Sequence, residues 1–352
     1  DKSADWRRQL RVNASRTRIV IAIFFLIYIA IGLLLDLYFH YVGLSNMAAG
    51  SYAQAPPLNL GADFMDLVTF RAIPWATLIM LGIACISLFV TYSMYDKIML
   101  LGTEYTEITP ETDSADAKQL YNVVEEMKVA AGMRYMPKIF IIEADYMNAF
   151  ASGYSEKSAM IAITRGLLQK LDRAELQAVM AHELTHIRHG DIKLTLTASV
   201  LTNIMLIVMD ILFYNALFRS DRRDARGGNW LFLIIIVVRF LLPIVTLLLM
   251  LYLSRTREYM ADAGTVELQR DNEPMIRALL KISNDHQEHA EHYQAEYGST
   301  AHESVRRESY IFDPVSMGVS GATSPSDWFS THPSMEKRLA ALGYTMKKQD
   351  NT

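Results

Sequence analysis

Four long apolar runs constrain what this chain can become. The first covers Ile19 to Leu35 without a charge and continues past Asp36 to Phe39; the second covers Ile73 to Tyr95. The third, Leu194 to Phe218, is laced with Thr195, Thr197, Thr202, Asn203 and Asp210. The fourth, Trp230 to Leu253, is interrupted by Arg239 and Pro243. A bilayer-spanning helix needs about 20 residues, and each run is long enough. Hydrophobic residues make up 51% of the chain and the mean hydropathy is +0.12, which is more apolar than an ordinary soluble domain. The expected fold is α+β: a polytopic membrane protein with about four transmembrane helices and a mainly helical cytoplasmic domain with a small β-sheet.

Lysine and arginine set the orientation. Lys2, Arg7, Arg8, Arg11, Arg16 and Arg18 precede the first run, whereas His40 to Phe70 contains neither residue type. The amino terminus is therefore predicted to be cytoplasmic and that loop outside. The layout that follows has a cytoplasmic basic tail at 1–18 and a first span at 19–39. An extracytoplasmic loop at 40–72 and a second span at 73–95 come next. Two cytoplasmic segments, 96–193 and 254–352, flank a transmembrane hairpin at 194–253. Arg219, Arg222, Arg223 and Arg226 at the hairpin tip run against the charge rule, so a hairpin that only partly enters the bilayer stays open. Charges inside spans are costly unless paired. By helical rise, Asp210 and Arg239 lie at the same depth, roughly 21–23 Å from the cytoplasmic end, and are predicted to form an ion pair.

The balance of 34 Lys+Arg against 38 Asp+Glu offers no excess cation for nucleic acid. A single cysteine, Cys85, excludes an intramolecular disulfide and a cysteine-based metal site; it reads as a small buried hydrophobe.

In the first polar segment, Asp113 to Ala131 reads as an amphipathic helix ending before Gly132. Lys138 to Ile142 and Ser158 to Ile163 read as short buried strands, with Asn148 to Gly153 between them. Asp172 and Glu175 have capping-box spacing and open a strong helix through Met180 and His186. In the second segment, Arg255 to about Gln269 reads as a helix, and Pro274 suits the first turn of another. Asp285 to Asp327 reads as a long polar connection, and Ser334 to Leu342 as a last short helix.

His182-Glu183-Leu184-Thr185-His186 carries the chemistry. Residues four apart share one helical face, so both imidazoles can bind one zinc ion, while Glu183 beside them can take a proton from a zinc-bound water. Two residues are candidates for a third ligand. His189 shares the face, but three ligands on one straight helix spread over about 10 Å. Glu258 is the better candidate, because Asp262 lies one turn further on the same face and suits a carboxylate that fixes a histidine tautomer. His286, His289 and His292 repeat every third residue in polar sequence and read as a solvated helix face rather than a second metal site.

These residues carry a resemblance. Asn148-Ala-Phe-Ala-Ser-Gly153, Thr164-Arg-Gly-Leu-Leu168, Ala178 to Ile187 with Gly190-Asp191, Ser254-Arg255 with Glu258 and Ala261-Asp262, and Thr331-His-Pro333 with Arg338 resemble the HtpX-type membrane zinc metallopeptidases. That branch is related to the type I CAAX prenyl endopeptidases. The resemblance covers about Tyr121 to Leu342; the long amino-terminal tail, the extended outside loop and the polar stretch near Asp285 to Asp327 depart from it. It implies a zincin-like catalytic domain with one zinc ion on His182, His186 and Glu258, and Glu183 as general base. It implies an edge strand at Asn148, Ala149, Phe150 and Ala151 that aligns a substrate backbone. From the block ending at Arg338 it implies His332 as the group that steadies an oxyanion, with Arg338 beside it among the catalytic residues. The expected activity is a membrane-embedded zinc endopeptidase in the inner membrane, facing the cytoplasm, with unfolded membrane proteins as substrates. Alternative readings are a prenyl-protein processing protease, or a zinc-bearing scaffold or chaperone. The retained Glu183 argues against the last, since a structural site needs no base.

Overall fold

The computed structural model describes residues 6–50, 59–219, 255–314 and 332–344, together with 233, 236–239 and 241–242. Most of the fourth apolar run, Thr331, and the end of the polar stretch toward Asp327 lie outside the described residues. The chain divides into two compact units. One comprises Asp1–Thr17, Thr91–Val200 and Leu249–Thr352; the other comprises Arg18–Val90 and Leu201–Leu248.

The second of these units is built from three long apolar helices and one short one: α1 (Trp6–Gly50), α2 (Leu60–Val68), α3 (Trp75–Ser93) and α8 (Asp191–Arg219), of which all but the short α2 run on into the other unit. Within the described residues, three helical stretches are long and apolar enough to cross a membrane: Leu10–His40, Trp75–Ser93 and Asp191–Ile211. Phe24, Tyr28, Ile31 and Leu35 recur at helical spacing on α1 and pack with Met80, Ala84, Leu201, Met205 and Met209. Leu26, Phe39, Ile79, Ile86, Phe89 and Ile207 face outward, so these helices are apolar on both faces, as helices surrounded by lipid are. Cys85 lies on such an outward face of α3 rather than in the core, because Ala84 takes the buried position next to it. Asp36 is kept inside α1 by a specific task. Its carboxylate accepts hydrogen bonds from Ala76 N (2.8 Å), Thr77 N (2.8 Å) and Thr77 Oγ1 (2.7 Å), capping the start of α3. Gly32 permits the close approach, since a Cβ there would stand 2.5 Å from Thr77 Cα. Asp210 and Arg239 do pair, at 2.8 Å, with the guanidinium 4.2 Å from the Phe213 ring centroid.

The first unit carries the sheet. β1 (Tyr105–Ile108), β2 (Lys138–Ile142), β3 (Ala149–Gly153) and β4 (Ala159–Thr164) lie in the order β1-β2-β4-β3. β2 and β4 are parallel and the other pairs antiparallel. The continuous apolar runs of β2 and β4 suit central strands covered on both faces. β3 is an edge. Against the sheet lie α4 (Tyr95–Leu100), α5 (Ala115–Ala130), α6 (Arg165–Lys170) and the buried α7 (Arg173–His189). α9 (Thr256–Gln269), α10 (Glu273–Glu288) and α13 (Met335–Ala341) complete the core with α7, while α11 (Ala290–Ser299) and α12 (Glu303–Arg307) lie between α10 and α13 in the chain. The capping box at α7 forms as its spacing predicts, with Asp172 Oδ1 accepting from Glu175 N and Glu175 Oε2 from Asp172 N, both at 2.9 Å. Gly190 ends α7 in the left-handed conformation, φ 72°.

The segment expected as a basic tail is helical from Trp6, and residues 6–17 belong to the sheet-bearing unit. One sequence reading besides that of Cys85 is corrected. The stretch from Asp285 is not an open connection through its described part. It folds into the end of α10, α11 and α12, held by buried Tyr293, Tyr297 and Tyr310, whose hydroxyls supply the polar contacts that its composition suggested would go to water.

Candidate metal centre

α7 buries His182, Glu183 and His186 on its inner side, and α9 crosses it closely. The crossing depends on Gly264, where a Cβ would lie 2.6 Å from Thr185 Oγ1 and Cγ2. That approach brings Glu258, on the first turn of α9, against both imidazoles. His182 Nε2 and His186 Nε2 stand 3.1 Å apart. Glu258 Oε2 lies 3.5 Å from the former, and Glu258 Oε1 lies 3.8 Å from the latter. Donors 2.0–2.1 Å from one tetrahedral ion would be about 3.3 Å apart, so this spacing accepts a metal with little movement. Among the described residues, these three form the cluster able to hold an ion. His189, the other sequence candidate, is buried but outside the cluster.

The opposite ring nitrogens are held from behind. His182 Nδ1 lies 3.0 Å from Asp262 Oδ1. Asp262 is in turn gripped by Arg338, whose Nε and Nη2 donate to its two oxygens at 2.9 and 2.7 Å. Arg338 Nη1 donates to Ile311 O at 2.6 Å. All three donor groups of this buried guanidinium are thus engaged, which makes Arg338 a positioning residue for His182. On the other ligand, His186 Nδ1 lies 3.0 Å from Asp191 Oδ2. Asp191 was visible in sequence only as part of a matching block; its partner Asn13 carried no signal at all, being an asparagine in a basic amino-terminal stretch.

The charges are strongly perturbed. Burial pushes the pKa of His182 down, but hydrogen bonds with Asp262 and Glu258 outweigh it and lift the value to about 9. A dication would exploit the same negative surroundings. Burial pushes Glu258 up, but His186, His182, His332 and Arg257 together hold it well below the usual carboxylate range, so it is an anionic ligand. Asp262, also pushed up by burial, is pulled below its ordinary value chiefly by Arg338. Glu183 goes the other way: burial raises it, against the pull of His182 and His186. Glu183 is fully buried, and neither carboxylate oxygen has a hydrogen-bond partner among the described residues. A buried carboxylate left so is costly unless something else uses it. His332 is buried too, its Nδ1 4.0 Å from Glu258 Oε1, which places it at the same cluster.

The edge strand meets this centre through one residue. Ile311 N donates to Ala149 O at 2.9 Å, while Ile311 O accepts from Arg338. Phe150 bridges to Tyr310, and the Asn148 side chain clamps Phe312, donating from Nδ2 to its carbonyl at 2.9 Å and accepting from its N–H at 3.3 Å. Of the four residues expected to align substrate, Asn148, Ala149 and Phe150 are therefore already engaged by the Tyr310–Phe312 segment. Ala151 has Ile161 as its register partner in β4, and its outward edge faces Ser309, because the antiparallel bridge of Phe150 with Tyr310 flanks it. The three expected metal-cluster histidines and acids, by contrast, come together as their spacing requires.

Two imidazoles one turn apart, a carboxylate from a second helix, and an unsatisfied glutamate between them leave one class, the metallopeptidases built on this helix motif. The sequence comparison narrows the class: residues 114–346 match peptidase family M48, and the chain belongs to that family. It is 38% identical over 331 residues to a protease HtpX homolog of Helicobacter pylori (strain Shi470), covering 94% of this chain and 95% of that one. It is 36% identical over 257 residues to a protease HtpX homolog of Dictyoglomus thermophilum, covering 72% and 78%. The crystal structure of S. mikatae Ste24p overlaps with a TM-score of 0.45 at 20% identity, over 80% of this chain and 61% of that one. Membership in this family and the apolar helices make the chain a membrane metalloprotease.

Proposed function

We propose that this protein is a zinc-dependent endopeptidase of the inner membrane that cleaves unfolded or damaged membrane proteins at the cytoplasmic face. The observation that carries the reading is the fully buried, unpartnered Glu183 next to a three-donor cluster. Two imidazoles and one carboxylate are the donor set of a catalytic zinc site, which keeps a fourth position open. Zinc there supplies Lewis acidity, polarising the scissile carbonyl and lowering the pKa of the attacking water. Glu183 takes the proton of that water and returns it to the leaving amine. Its raised pKa matches both halves of that task, because a carboxylate of ordinary pKa is a weaker base and surrenders a proton too early. His332 steadies the oxyanion. An extended peptide adds to the outward edge of β3 by displacing the bridged segment 309–312, a mode that makes little demand on side chains and so suits diverse unfolded substrates. The short chain distance supports substrates held in the bilayer: a stretch able to cross a membrane begins at Asp191, soon after His186. The arginine-rich segment before the first apolar run supports the cytoplasmic orientation.

The test is cleavage of an unfolded protein by the detergent-purified full chain with zinc, beside Glu183→Gln. The variant should retain zinc and lose at least about a hundredfold in rate, since a general base typically contributes 10²–10⁴-fold. Equal cleavage by both proteins overturns the assignment of Glu183. Zinc binding without cleavage by either turns the reading toward a selective processing protease or a scaffold.

A further inference from the structure

We propose that Asn13, outside the family-matched region, is a positioning residue of the metal centre: it docks the amino-terminal helix onto Asp191 and so fixes the ligand His186. The inference rests on the metal reading above and extends it to a segment that sequence marks only as basic. Asn13 is 4% exposed although it lies in a stretch of arginines. Its Nδ2 donates to Asp191 Oδ1 and also to His189 O, the latter at 3.1 Å. Asp191 Oδ2 faces His186 Nδ1 at 3.0 Å. The chain of contacts therefore runs from α1 through one carboxylate to a metal ligand.

Each link has a physical reason. His186 binds a metal through Nε2 only if Nδ1 carries the proton, and Asp191 accepts that proton's hydrogen bond. A buried carboxylate needs donors for its second oxygen, and Asn13 provides one. The last carbonyls of α7 lack intrahelical partners, and Asn13 satisfies that of His189 with its other amide hydrogen. A second contact fixes the approach. Leu10, one turn before Asn13, packs at Gly190, where a Cβ would come within 2.7 Å of Leu10 Cδ1. Leucine and asparagine thus grip the turn that joins the metal helix α7 to the apolar helix α8. Aspartate, of the same size, offers no hydrogen to Asp191 and would place a second carboxylate against it.

The experiment reads zinc affinity by chelator competition, not activity, on the detergent-purified full chain carrying Glu183→Gln to prevent self-digestion. Asn13→Ala should weaken zinc binding about tenfold, at the low end of the 10–100-fold seen when a group supporting a ligand is removed. Asn13→Asp should weaken it further. Asp191→Ala should cost as much as the double variant with Asn13→Ala, because Asn13 acts through Asp191. Leu10→Ala loosens the docked helix but keeps the Asn13–Asp191 contact, so it should lower thermal stability and weaken zinc binding less than Asn13→Ala does. Wild-type affinity in Asn13→Ala, or losses that simply add in the double variant, overturns the proposal while leaving the metal reading intact. A parent chain that binds no zinc overturns both.

Discussion

At the scale of single residues, burial decides which ionisable groups do chemistry and which hold structure. Glu183 is buried without a hydrogen-bond partner among the described residues, which suits the base proposed above, whereas Glu175, equally buried, meets Lys281 Nζ at 2.7 Å and locks the start of α7. His286 is a third case. The repeat of His286, His289 and His292 reads in sequence as a solvated face, and His289 and His292 are indeed exposed. His286 instead sits among Tyr293, Tyr297 and Phe312, with Nδ1 2.8 Å from Ile282 O and Nε2 3.1 Å from Tyr297 Oη. Helical spacing separates it from its neighbours, since His286 extends the buried face of Met275, Leu279 and Ile282 on α10, and α11 folding back covers it. Burial lowers its pKa from 6.5 to about 4. Between those values the unfolded chain binds the proton and the folded chain does not, so stability falls as pH drops through that window. Replacement by glutamine should flatten this dependence. Denaturant midpoints at pH 7 and pH 4.5 would check it: the parent should lose on the order of 2 kcal/mol more than His286→Gln.

At the scale of elements, the helices that carry function were legible because their signals are local. The capping box, the histidine spacing and the first three apolar runs each occupy one stretch of chain, and α7, β2 and the three apolar helices among the described residues stand where those signals put them. The Asp210–Arg239 pair was legible as well, since helical rise alone sets the depth of both charges. β1 was not: three of its four residues are exposed, and what makes it a strand is pairing with β2 rather than any alternation of its own. Nor could sequence reveal that Tyr310 to Phe312 takes the first part of the β3 edge, because that contact joins residues far apart in the chain. This occupancy yields a prediction. The amide of Ala151 faces away from β4, toward the bridged segment that a peptide would displace, so Ala151→Pro should leave the β4 ladder intact but raise KM about tenfold, with kcat little changed. Phe150→Pro removes a ladder hydrogen bond to β4 and should unfold the unit. Circular dichroism melts run beside peptide kinetics would separate the two; equal kinetics in Ala151→Pro and the parent would rule out pairing at that edge.

At the scale of the whole molecule, two compact units imply two stability domains. The metal ligands all belong to the sheet-bearing unit, on α7 and α9. An ion bound to both helices cross-links segments that the unfolded chain separates, and binding to the native state alone stabilises by about 2.7 kcal/mol at a hundredfold excess over Kd. Calorimetry of the detergent-solubilised chain should therefore show two transitions, of which a chelator lowers only one, with recovery on adding zinc. A single transition, or two that shift together, would contradict independent units.

The same arrangement has a consequence in time. The ribosome makes His182, Glu183 and His186 first, then the third and fourth apolar runs, and only afterwards Glu258 and the Asp262 and Arg338 that brace His182. A half-made chain owns two imidazoles and a base but cannot close the coordination shell. Closure of the three-donor cluster therefore waits until the last apolar run has been synthesised.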